Sequence, residues 1–191
     1  MAFNLSTFQG ALASGGARPS LFSFDITGTA AGDTANRLSM LCNVAALPGV
    51  SITPIEKHYF GRVMKIPGDM VFADLTTTIL MDDTQKTDQT ALSPRAVIEK
   101  WMSRLNTHEG NIRTAAASMA TQNAVGTLTQ YGKQSAAGTP AKIYEVQFTG
   151  LFPTTLSEVA LSYDSVSEIA QFDCTWTYQY WQIVTPTAAA G

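Results

Sequence analysis

The side chains able to do chemistry in this chain are few and scattered. There are two histidines, His58 and His108, and two cysteines, Cys42 and Cys174. A zinc site needs three or four Cys, His or carboxylate ligands at short, set spacings, and neither histidine has such company. His108 closes a predicted helix, where a cation complements the helix dipole. Asp82, Asp83 and Asp88 follow a predicted strand, and Asp164 and Glu168 lie in a later loop. Each group can hold a weak cation, but a solvated turn accounts for it more simply. No GxSxG nucleophile elbow is present, and Ser14-Gly15-Gly16 reads as a linker. No GxGxxG or GKS/T phosphate loop occurs. Both cysteines fall on the apolar parity of a predicted strand, without a CxxC, and read as buried, inert thiols. An enzyme on this chain would need a pocket with convergent polar groups, and no residues stand out to build one. No catalytic, cofactor-binding or metal-binding residue is therefore expected.

Bulk properties narrow the partners. The net charge is −3 with no Lys/Arg cluster, which argues against binding nucleic acid phosphates. Charged residues make up 14%, against a typical ~25%. Such a surface is either covered by partners or simply rich in Thr, Ser and Ala. The N-terminal stretch lacks the basic start and continuous apolar core of a secretion signal. No run of 18 apolar residues spans a membrane. The expectation is a protein folded in a cytoplasm, without a membrane anchor.

The elements follow from periodicity. The run 169–183, IAQFDCTWTYQYWQI, places Ala170, Phe172, Cys174, Trp176, Tyr178 and Tyr180 on one parity and Gln171, Asp173, Thr175, Thr177 and Gln179 on the other. Strand side chains alternate between faces, so this predicts one ribbon of roughly 50 Å at ~3.4 Å per residue. Residues 20–27 predict a first strand, with Phe22, Phe24 and Ile26 inward, and 28–36 a loop. Residues 37–47 predict a second strand, with Leu38, Met40, Cys42, Val44 and Ala46 on one face. Residues 52–69 alternate poorly and predict a projecting hairpin, with Pro67-Gly68 as a turn signal. Residues 70–81 predict a strand with Val71, Ala73, Leu75, Ile79 and Met81 inward. Ser93-Pro94 opens a helix whose Val97, Ile98, Trp101, Met102 and Leu105 form an apolar stripe, ended by Gly110. Further strands are expected over 125–132 and 142–149. The segment 150–165 reads as a turn, a short strand or helical turn, and an acidic loop. The sum is mostly β: an antiparallel sandwich or barrel of about seven strands with one flanking helix and a projecting hairpin arm. The domain plan is a flexible arm or short helix over 1–17, one β domain over 18–184, and a loose tail over 185–191.

Two surfaces stand out. Ile55, His58, Tyr59, Phe60, Val63, Met64 and Ile66 give the arm a mixed apolar character suited to a partner; an ordinary hairpin packed on its own domain is the simpler alternative. Asp74, Thr76, Thr78, Gln147, Gln171, Asp173 and Thr175 lie on the wet faces of strands. Long strands with exposed edges aggregate unless the edges are paired or closed, so identical copies are natural partners.

Three stretches carry a resemblance. They are ARPSLFSFDI (17–26), ALPGVSITPIEKHYFGRVMKIPGDMVFADLTTTILMDD (46–83) and YEVQFTGLFPTTLSEVALSYDSVSEIAQFDCTWTYQYW (144–181). In this order they resemble the tail tube family of contractile-tailed, T4-like bacteriophages, whose fold is shared with type VI secretion and contractile bacteriocin tubes. Residues 28–36 and 84–135 depart from that pattern. The resemblance implies a non-catalytic virion protein, assembled in the host cytoplasm, that forms hexameric rings stacked into a hollow tube inside a contractile sheath. Implied partners are further copies, the sheath protein, baseplate and tail-terminator proteins, a tape-measure protein in the bore, and DNA in transit without specific binding. The arm residues become intersubunit contacts and the wet-face residues candidates to line the bore. Residues 84–92 and 110–140 become candidate ring-to-ring or sheath contacts. The rival readings are a type VI or bacteriocin tube, with other cargo, and a monomeric β-sandwich binding module.

Overall fold

The computed structural model describes residues 5–11, 16–28, 39, 41–82, 93–113, 124–136, 139–164 and 168–184. The expected 28–36 loop beyond Gly28, Leu38 and Met40 of the expected second strand, the 84–92 region, residues 114–123, the aspartates Asp83 and Asp88, and the tail lie outside these residues. In chain order the elements are helix α1 (Leu5–Ala11), strands β1 (Phe22–Thr27), β2 (Cys42–Ala45), β3 (Val50–Tyr59), β4 (Arg62–Phe72) and β5 (Leu75–Leu80), helix α2 (Pro94–Leu105), and strands β6 (Ala124–Ala136), β7 (Thr139–Leu156), β8 (Gln171–Thr177) and β9 (Tyr180–Ile183).

Seven strands form one antiparallel sheet in the order β1-β6-β7-β8-β5-β2, with β9 also paired to β7; β3 and β4 pair only with each other. The sheet folds on itself because β7 changes partners along its length. Its first part pairs with β6 and β9, and Phe152–Leu156 pair with β8. Gly150, at φ +73°, marks the change. The inner faces of the two halves meet in one core, seen in the edge-on contact of Phe24 with Trp176 at 6.2 Å and the packing of Phe148 on Tyr178 at 4.9 Å.

Helix α2 closes the side of this core. Ser93 caps it by accepting a bond from the Ala96 N–H at 3.4 Å, and Pro94 occupies the first turn. Val97, Ile98 and Trp101 are buried, with Trp101 packed on Trp176 at 5.7 Å. Arg95 fixes the helix to the sheet. Its guanidinium donates to the Ser157 carbonyl at 2.8 Å and lies over the Phe172 ring. The helix ends at Leu105, with Asn106 as its cap, rather than at Gly110. His108 therefore sits in the turn beyond and does not meet the helix terminus.

The sandwich is as predicted in class, and the strand assignments differ in several places. The 169–183 ribbon is two strands. Phe172, Cys174, Trp176 and Tyr178 are buried, but the buried parity then changes, leaving Tyr180 exposed and Trp181 packed against the core. The chain crosses from one half of the sheet to the other at Tyr178-Gln179, with the Gln179 N–H donating to the Thr149 carbonyl at 3.0 Å. Alternation in sequence cannot reveal such a crossing, since both segments alternate. The 70–81 run likewise divides: β4 ends at Phe72 and β5 starts at Leu75, so Val71 is exposed while Leu75, Thr77 and Ile79 are buried. In β2 a bulge between Cys42 and Val44 turns Val44 outward and brings Ala45 to the core. Finally, GLFPTT is strand rather than turn.

Trp176 is the centre of the core at 0% exposure, and its indole N–H donates to Thr77 Oγ1 at 2.8 Å. Trp176→Ala should destabilise the subunit by about 3–5 kcal/mol. Thr77→Val, which removes the indole's acceptor, should cost about 1–3 kcal/mol. Urea unfolding of the unassembled subunit measures both, and a loss below about 1 kcal/mol for Trp176→Ala would remove it from the centre of the core.

Candidate assembly interface

The β3–β4 hairpin is built to project. Nine opposed pairs run from Val50 opposite Phe72 to Tyr59 opposite Arg62. The turn is Phe60-Gly61, with φ of +45° and +75°. Positive φ at both central residues is the two-residue turn whose twist suits a hairpin. Pro67-Gly68, the expected turn, lies instead inside β4, where Pro67 faces Pro54 and the register shifts. Pro has no N–H to give to a ladder, so the two prolines sit together at this irregularity. Gly68 is fixed there by contact, since a Cβ would fall 2.4 Å from the Thr53 carbonyl oxygen.

Beyond its root the arm touches little of its own chain. Every residue of β3 is exposed, and β4 is exposed except at Gly68 and Phe72. The register sorts the predicted arm residues. Ile55 opposite Ile66, Lys57 opposite Met64 and Tyr59 opposite Arg62 share one face. His58 opposite Val63 and Glu56 opposite Lys65 share the other, and Phe60 is at the tip. The first face is therefore mainly apolar and the second mixed, carrying the exposed Lys65–Glu56 ion pair at 3.4 Å. Exposed pairs of this kind contribute about 0–1 kcal/mol, whereas a fully covered Ile, Met or Phe contributes about 1.5–3 kcal/mol. Covering the apolar face is the larger gain.

The root is clamped, and sequence reasoning missed the residues that do it. Tyr178 donates its hydroxyl hydrogen bond to the Ala73 carbonyl, and Thr177 Oγ1 donates to Asp74 Oδ1 at 2.9 Å. Phe72 packs on Tyr178 at 6.3 Å and on Trp181 at 6.1 Å. Burial, with the Asp74 carboxylate beside it, pushes the Tyr178 phenol up to about 12, so it keeps its proton as a donor. The break in the last ribbon is thus what fastens the arm.

The wet-face candidates do not form one surface. Thr76 opposite Thr175, Thr78 opposite Asp173 and Leu80 opposite Gln171 run along β5 and β8. Thr78 Oγ1 donates to Asp173 Oδ1 at 2.7 Å, and the Asp173 N–H donates to Ser157 Oγ at 2.8 Å. Gln147 belongs to the other half, where it accepts from Gln182 Nε2 at 3.1 Å. Asp74 is engaged at the arm's root. The side chains of Thr76, Thr78, Gln171, Asp173 and Thr175 share one outer face without a Lys or Arg among them.

Among the described residues no three His, Cys, Asp or Glu side chains come close enough to hold a metal, and no helix is long and apolar enough to cross a membrane.

A long arm with an uncovered apolar face leaves the sandwich at a clamped root, and comparison with known proteins identifies the family. Residues 12–184 match the family of phage tail tube proteins. The chain belongs to that family. It is 27% identical over 166 residues to tail tube protein gp19 of Enterobacteria phage T4, covering 87% of this chain and 91% of the relative. It is 28% identical over 166 residues to tail tube protein gp19 of Enterobacteria phage T6, with the same coverage. Its fold is similar to solved chains of contractile injection systems. One, from the sheath/tube terminator of the extracellular system PVC in its extended state, gives a TM-score of 0.60 at 15% identity, covering 89% of this chain and 97% of that one. Another, from the PVC sheath-tube complex, gives 0.58 at 13% identity, covering 96% and 99%. As a tail tube protein the chain is a structural component of the phage tail.

The cysteines of this tube protein test the packing. Burial pushes the Cys42 thiol up to about 11 and the Cys174 thiol up to about 12; thiolate, the reactive form, is scarce at neutral pH. Iodoacetamide at pH 7.5 should leave Cys174 unmodified in the folded subunit and label it fully in urea, as read by mass spectrometry. Labelling of native Cys174 within minutes would contradict its burial.

Proposed function

We propose that this chain is the ring subunit of the inner tube of a contractile tail. Six copies close into a ring, strands of each joining one wide inner barrel, and rings stack head to tail into a hollow conduit. A sheath surrounds the tube, baseplate and terminator proteins hold its ends, a tape-measure protein fills the bore, and the genome passes through after contraction. The tube assembles in the host bacterial cytoplasm and ends in the virion tail. The observation that carries this reading is the β3–β4 hairpin, a ribbon of 10 and 11 residues with exposed faces and no third strand among the described residues. A contact between two different surfaces of identical copies closes as a ring or propagates as a filament, and this arm offers the first of those surfaces.

The β5–β8 outer face is the proposed bore lining, formed by Thr76, Thr78, Gln171, Asp173 and Thr175. Hydroxyls, amides and one carboxylate give phosphates no cation to hold, which suits a wall that DNA must slide past. Gln147, on the other half of the sheet, and Asp74, engaged by Thr177, stand apart from that lining.

Ile66→Asp places a charge on the arm's apolar face, where the side chain is exposed in the subunit. The variant should keep the circular dichroism and unfolding midpoint of the parent yet give no tubes by negative-stain microscopy. Tubes in normal yield would reject the arm as an intersubunit element. Asp173→Lys should leave tubes intact and slow genome ejection from phage carrying it; unchanged ejection would remove Asp173 from the bore.

A further inference from the structure

The tip of the arm is unusual for a two-residue turn. The positive-φ positions of such a turn favour Asn, Asp and Gly, and a bulky residue there is strained. Here the first is Phe60, 90% exposed, its ring set edge-on to Tyr59 at 4.7 Å. An ordered, strained and uncovered aromatic ring costs stability in the lone subunit and requires a compensating contact elsewhere.

The molecule also holds a vacancy that fits a ring. At one end of the sandwich a cavity of about 150 Å³ opens between its two halves. Phe22, Gln130 and Tyr144 form one row across β1, β6 and β7, with Leu128 beside it and Ala45 and Leu47 opposite. A dry apolar cavity of about 150 Å³ accommodates benzene, which is the ring of a phenylalanine. The inward row Phe22–Tyr144 is the last of the core and lacks the cover that the rows below it have.

The arm cannot fill the cavity of its own chain. Leu47 lies just before the root of β3, and ten extended residues carry the tip roughly 30 Å away from that root. Only another molecule can bring Phe60 there. We propose that the Phe60 ring of one subunit enters the cavity lined by Phe22, Leu47, Leu128 and Tyr144 of a second copy, completing that copy's core. The contact runs from arm tip to arm root, so each subunit both gives and receives, and the contact repeats without a built-in end. This inference rests on the tube reading above and adds the acceptor site that reading lacks.

Paired cysteines test it. Tubes of the full chain carrying Phe60→Cys and Leu47→Cys are checked by microscopy, oxidised, dissociated and run on a non-reducing gel. The expected result is a ladder of covalent oligomers, with no ladder from Phe60→Cys paired with Tyr163→Cys. Tubes that form but give no ladder overturn the tip-to-root contact and leave the tube reading intact. A ladder from Phe8→Cys with Leu47→Cys in place of Phe60 also overturns it, by assigning the cavity to the exposed Phe8 of α1. Failure of the parent chain to form tubes under any condition defeats the tube reading itself. A second variant guards against cysteine pairs that block assembly. Ala45→Trp fills the cavity without touching the arm and should lower tube yield at least about tenfold relative to Ala45→Ser, as loss of an anchor contact does, with both subunits folded by circular dichroism. Equal yields overturn the proposal.

Discussion

A two-stranded ribbon with no third strand and no covering layer gains little from its own pairing; isolated hairpins are marginal in water. Among the described residues the β3–β4 arm is such a ribbon, yet it is longer than most strands of the sandwich it leaves. Its apolar face of Ile55, Tyr59, Met64 and Ile66 is uncovered in the subunit, and in the proposed assembly the need to cover it is the constraint on which the rest of the structure depends. A rigid platform must hold the arm at a fixed angle, or each new contact would also have to restrict the arm's freedom at a cost in entropy. The clamp at the root provides this. Phe72 is held between Tyr178 and Trp181, and the Tyr178 hydroxyl and Thr177 tie down Ala73 and Asp74.

The core serves that platform. Trp176 gathers Phe24 from one half of the sheet, Trp101 from α2 and Thr77 from β5 into one cluster. The same strand that supplies Trp176 continues into Tyr178, so the arm's root and the centre of the core are two residues apart. The outer faces of β5 and β8 are then free to carry polar, non-cationic side chains such as Thr76, Thr175, Gln171 and Asp173, because they are not needed to hold the core together.

Much of this was legible in the residues. The inward faces of β1 and β8, the Ser93-Pro94 helix start and the existence of a projecting hairpin all follow from periodicity and capping, which are local. What stayed hidden is where a strand changes partners. Gly150 in β7 and Tyr178-Gln179 after β8 carry the chain from one half of the sheet to the other, and both segments flanking each crossing alternate normally. The hairpin turn was misplaced for a related reason: Pro67-Gly68 has the composition of a turn, but the tip is held by Phe60-Gly61, where Phe is a poor turn residue. The division of the wet-face residues between two outer faces also depends on pairing, which links β5 with β8 and β7 with β9 across long stretches of chain. The match of residues 12–184 to the tail tube family agrees with the ordered motifs that first suggested it.

Hydrogen–deuterium exchange on the subunit before and after assembly tests most directly the claim that the arm is completed by other copies. Amides of 50–72 should exchange within seconds in the lone subunit, while those of β8 stay protected at the level of global unfolding. In assembled tubes the arm should become as slow as β8. An arm already protected in the lone subunit, or still unprotected after assembly, would contradict the account.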